Sequence, residues 1–193
     1  MMPRKLLLVA LVTALFPTAA QARPRPGGQL GGRSFESNKT FGLGLELGSL
    51  AGLTGKVFLS ESSALDFGVG TLFSNGNRSG IIHVYGDYLF HPISLVSHEV
   101  FELPLYVGIG GRYWHFSERF DPFGVELSAS VVGARVPVGI AFDFNNLPLD
   151  AFIQVAPTLD YYAYSSNNGA NMIVSNGPAL DVDVSIGARY WFN

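Results

Sequence analysis

The chain contains no cysteine, so no disulfide can brace it and its stability must come from packing and backbone hydrogen bonds. Charge is scarce as well. Only 14% of residues are Asp, Glu, Lys or Arg, where a soluble domain carries about 25%. With 48% hydrophobic residues, that scarcity excludes a disordered chain. A long apolar run is missing too. The longest covers residues 6–16, short of the ~20 that a helix needs to span a bilayer. The composition is that of a membrane protein, but no segment reads as a spanning helix. What the 193 residues do hold in quantity is glycine, 23 in all, with 15 Phe and 8 Tyr.

The N-terminus reads as an export signal. Arg4 and Lys5 precede the apolar stretch 6–16, and Ala20-Gln21-Ala22 has the small-x-small form that signal peptidase accepts, so cleavage after Ala22 is expected. No cysteine follows that would carry a lipid anchor. The mature chain then holds ten basic and fifteen acidic residues, and a net negative charge gives no support to nucleic-acid binding. Residues 23–39, with Pro24, Pro26 and four glycines, show no apolar period and read as a flexible leader. The N-x-S/T matches at Asn38 and Asn77 are read as chance.

From Thr40 onward the pattern has period two, the mark of β-strands. Eight segments stand out: 40–48, 52–60, 64–73, 81–90, 103–114, 130–142, 149–161 and 180–192. One face is apolar throughout, as in Leu43, Leu45 and Leu47, or Val182, Val184 and Ile186, and bears no charge between strand ends. The opposite face carries the mid-strand charges: Glu46, Asp66, Asp87 and Asp183 against Lys56, Arg112, Arg135 and Arg189. It also carries most of the strand glycines, among them Gly42, Gly44, Gly68, Gly70, Gly108, Gly110, Gly133, Gly139 and Gly187.

Alternation alone does not say which face points inward. A soluble lipid carrier is apolar inside, and a transmembrane barrel is the reverse. Glycine weakens a strand unless something must approach closely. On an open wet surface these glycines would have no packing reason, but inside a narrow barrel they make room for Arg and Tyr. Buried charges need partners, and four against four supplies them. The polar face is therefore expected inside, as a plugging network of ion pairs. Long connections after the third, fifth and seventh segments, with short ones after the second and sixth, match outside loops and periplasmic turns. The short link after the first segment and the long stretch 91–102 depart from that scheme. Tyr113 and Trp114 at one end, with Phe90, Phe142, Tyr190 and Phe192 at the other, are expected in interfacial girdles.

The ending DVSIGARYWFN resembles the C-terminal assembly signal of outer-membrane barrels through Ile186, Tyr190 and Phe192, with Asn193 in place of the usual terminal aromatic. The segments GLTGKVFLS, HVYGDYLFH, ELPLYVGIGGRYW, GARVPVGIAF and AFIQVAPTLD resemble a family of small outer-membrane barrel proteins, similar in form to the eight-stranded OmpA-type domain. The resemblance covers residues 40–193. It implies a monomeric eight-stranded antiparallel up-and-down barrel in a Gram-negative-type outer membrane, with lipid and the barrel-assembly machinery as partners. It brings no catalytic residues.

The residues offer no convincing catalytic or metal site, and no cofactor is expected. His83 reads as a satisfied polar interior residue. His91 and His98 lack further ligands for a metal. His115 with Ser117 and Glu118 is the nearest approach to a serine-type site of the kind outer-membrane lipid-modifying enzymes use, but neighbours in one loop rarely form a triad. A narrow pore is the other alternative, although eight strands enclose an interior that side chains fill. The expectation is a structural or surface-interaction role, with loops 114–126 and 161–171 presented for contact with a ligand outside the cell.

Overall fold

The computed structural model describes residues 29–71, 78–120, 125–166 and 177–192; the expected signal peptide lies outside them. Among the described residues ten strands form: β1 (Gln29–Arg33), β2 (Phe41–Gly48), β3 (Ala51–Phe58), β4 (Ser63–Thr71), β5 (Arg78–Ser97), β6 (Phe101–Phe120), β7 (Val125–Arg135), β8 (Val138–Phe144), β9 (Leu149–Ser166) and β10 (Gly177–Phe192). No helix occurs among the described residues. Strands β2 to β10 make one antiparallel sheet that closes in a ring, and the closing pair is β10 on β2, with Ile186 opposite Leu47 and Phe192 opposite Phe41. Closure leaves no open edge in the ring, so every strand has two neighbours for its backbone groups.

The segment expected as one strand over 130–142 is two. β7 and β8 lie end to end between the same neighbours, β6 and β9. Pro137 has no N–H to give the ladder, so the strand breaks there. The Gly108 N–H donates to the Pro137 carbonyl at 2.8 Å, and the Val136 N–H to the Pro157 carbonyl at 3.0 Å, which holds both sides of the break in the wall.

Residues 91–102, expected as a long turn, are mostly strand. β5 runs on to Ser97 and β6 begins at Phe101. The Asn145 side chain donates to the His98 carbonyl at 2.8 Å and so ties this hairpin tip to the next turn. Within the leader, β1 pairs with the end of β5, Gln29 opposite Ser97 and Leu30 opposite Val96. The loop expected over 115–129 also narrows, because β6 reaches Phe120 and β7 starts at Val125.

The two faces separate as the alternation requires. Leu45, Ile109, Val132 and Ile186 are 65%, 67%, 63% and 55% exposed on the outside of the ring, whereas Glu46, Arg112, Arg135 and Arg189 are buried within it. The interior glycines sit where large side chains pass. A Cβ on Gly68 would lie 2.3 Å from the Tyr85 ring, one on Gly139 2.4 Å from Tyr106, and one on Gly187 2.5 Å from Phe152.

Candidate functional site

The interior is filled by charged and aromatic side chains in two groups. At the end of the ring where the chain enters and leaves it, Arg189 of β10 donates to Asp66 of β4 at 2.5 Å and to Asp150 of β9 at 3.2 Å, and its guanidinium lies 4.1 Å from the Phe152 centroid. Lys39, just before β2, pairs with Asp143 of β8 and donates to the Phe144 and Leu149 carbonyls at 3.2 and 3.1 Å. Lys56 of β3 is buried, and among the described residues no carboxylate lies within ion-pair distance of it. Its ammonium lies 2.8 Å from His91 Nε2, and 4.7 and 5.1 Å from the Tyr106 and Phe58 centroids. The geometry assigns the tautomer: His91 Nδ1 is 3.1 Å from the Ser62 carbonyl and must donate to it, which leaves Nε2 to accept from Lys56.

Toward the far end, Arg112 of β6 collects three carboxylates. It pairs with Asp160, contacts Asp181 at 2.8 Å and donates to Asp183 at 2.5 Å. Arg135 of β7 lies between Asp87 and Asp183 in longer ion pairs of 3.4 and 3.6 Å. The Tyr85 hydroxyl donates to Glu46 Oε2 at 2.5 Å, and Thr54 Oγ1 is 3.3 Å from the same hydroxyl. His83 is buried beside Tyr85, with ring centroids 6.4 Å apart in an edge-on arrangement. Above this layer the interior turns apolar: Trp114, Phe116, Ala129 and Val131 pack together, with Trp114 stacked on Phe116 at 5.2 Å and edge-on to Tyr162 at 5.6 Å.

All eight charges expected inside are buried inside. The partners differ in detail from a simple pairing of those eight, because Asp143, Asp150, Asp160 and Lys39 join them. The four-against-four balance does not hold across the whole interior. Arg189, Lys39 and Lys56 share their end of the interior with Asp66, Glu102, Asp143 and Asp150, whereas Arg112 and Arg135 contact four aspartates, Asp87, Asp160, Asp181 and Asp183, with Glu46 held by Tyr85 beside them. The missed residues sit near segment ends, where alternation weakens as a guide.

Trp114, expected in a girdle, points inward, two residues from Arg112 on the same face. His91 is likewise an interior residue. His115 Nδ1 is 3.0 Å from Ser130 Oγ, and Ser117 Oγ is 3.1 Å from Ser128 Oγ, so in this structure His115 and Ser117 bond across to β7. Among the described residues no cluster of His, Cys, Asp or Glu has the geometry to hold a metal ion. The C-terminal residues Ile186, Tyr190 and Phe192 all face outward, with Phe192 stacked on Phe41 at 6.0 Å. The arrangement can bind its own charges to one another and exclude solvent from the middle of the ring. Among the described residues it shows no nucleophile with both an adjacent base and an orienting acid.

No protein-family model, curated protein or solved structure matches this chain.

Proposed function

We propose that the chain is an integral outer-membrane protein: an eight-stranded transmembrane barrel, counting β7 and β8 as one broken strand, whose interior is plugged by ion pairs. Its role is structural or surface-interactive, and the far end is presented outside the cell. One observation carries the reading. Around the ring the outward side chains are apolar and exposed while the charges turn inward, the inverse of a water-soluble protein. Along β10 the outward row is Leu180, Val182, Val184, Ile186, Ala188, Tyr190 and Phe192. A tilted strand of 9–11 residues crosses a bilayer, and this row is long enough. Tyr88, Phe90, Phe101, Phe142, Tyr190 and Phe192 near the termini end suit an interfacial girdle. Lipid and the barrel-assembly machinery are the expected partners, the latter through Ile186, Tyr190 and Phe192.

The filled interior favours a closed barrel over a pore, and the absence of a triad geometry among the described residues favours a non-enzymatic role over lipid modification. The test is reconstitution of the mature chain in lipid vesicles, read by heat-modifiable gel migration and single-channel conductance together. A folded, protease-resistant form that conducts no ions is expected. Failure to enter lipid would sink the membrane reading, and steady conductance would replace the plugged barrel with a pore.

A further inference from the structure

The residues before β2 do more than lead into the ring. β1 is hydrogen-bonded to the end of β5, and β2 begins beside β10, so residues 34–40 must cross the termini end of the ring to join them. Phe35 is 2% exposed, with its ring 5.3 Å from the His91 ring and 6.0 Å from that of Phe58. The Ser37 N–H donates to the Glu61 carbonyl at 2.8 Å, in the β3–β4 turn. Lys39 then reaches Asp143 and two carbonyls on the far side of the mouth, with its ammonium 5.7 Å from the Trp191 centroid. An aromatic plug in the middle, a backbone hydrogen bond and an ion pair at the edge all fasten one short segment.

We propose that residues 34–39 form a releasable strap that closes the termini end of the ring, seated by Phe35 in the Phe58–His91 well and latched by Lys39 on Asp143. The segment belongs to no strand between β1 and β2, and Phe35, Lys39 and the Ser37–Glu61 backbone bond are among its attachments to the ring. Local opening of such a segment costs far less than unfolding the ring. Release would uncover the Lys56–His91–Tyr106 layer while β1 stays paired with the end of β5. The strap rests on the closed ring alone and is independent of whether the ring sits in a membrane.

Trypsin reads the latch at Lys39, which is buried. In the folded full-length mature chain in detergent, cleavage after Lys39, leaving a product that starts at Thr40, should be at least tenfold slower than in the same chain unfolded in urea. Asp143→Asn should accelerate the Lys39 cut about tenfold while heat-modifiable migration shows the ring still folded. Phe35→Ala, which leaves every ring residue in place, should do the same and serves if Asp143→Asn does not fold. Equal rates after Lys39 in the folded and the unfolded chain would overturn the strap. A Lys39 site that stays protected in the folded variants would overturn the latch.

Discussion

The guanidinium of Arg135 lies face-on to Tyr85, 4.2 Å from guanidinium carbon to ring centroid, and between two carboxylates, Asp87 and Asp183. Tyr85 in turn donates to Glu46. One cation thus organises the middle of the ring across β2, β5, β7 and β10. Arg135→Leu keeps the bulk but strands the carboxylates. Removing one partner of a buried pair typically costs about 3–5 kcal/mol. The urea midpoint of the folded form in detergent should fall accordingly, and an unchanged midpoint would count against the network.

Two glycines of adjacent strands should respond in opposite ways. Gly68 faces inward against Tyr85, and Gly86 faces outward with nothing within 4 Å of an added Cβ. Gly68→Val should destabilise by about 1–3 kcal/mol or block folding, because an overpacked site must displace Tyr85. Gly86→Val should fold as well as the parent, since it adds a β-branched apolar side chain to an open apolar surface. Refolding yield of the two variants side by side checks this, and equal damage would mean that the inward face is wrongly identified.

The outward face tells lipid from water. Val136 is 47% exposed on that face. Val136→Arg should cost about 2–4 kcal/mol if the position lies near a bilayer midplane. On a water-facing surface the same change stays within about 0.5 kcal/mol. Unfolding titrations in lipid vesicles separate the two values.

The C-terminal strand allows a cellular test. Phe192 contacts Phe41 and Tyr190 on the outside of the ring and fastens no interior charge. Phe192→Ala should therefore leave detergent refolding nearly intact but sharply lower the amount recovered in the outer membrane, as expected if assembly recognises that residue. Equal recovery of variant and parent would remove the assembly role.

Much of this arrangement was legible in the sequence, because alternation fixes which side a residue takes once the strand is known. Arg112, Arg135 and Arg189 share their parity with Gly110, Gly133 and Gly187, and that was enough to put them inside. The same parity puts Trp114 inside with Arg112, whereas its place near a strand end points to the girdle. Asp143, Asp150 and Asp160 escaped notice because they sit near segment ends, where no run of alternating neighbours fixes the register. The interruption at Pro137 follows from its missing N–H, a local signal. β1 has no such signal. Gln29–Arg33 contains no apolar alternation, and its partner is the end of a strand more than sixty residues later, so only the folded ring defines it.

The ring is also uneven. β2, β3 and β4 have eight or nine residues, while β5 and β6 have 20 and β9 has 18. Among the described residues, the wall beyond Thr71 is carried by paired strands on one side, in which Leu127 still meets Ser166. A partner that met this shoulder would find its shape already set by the backbone ladder. Binding there would forfeit little conformational freedom, so modest contacts could suffice for a lasting attachment.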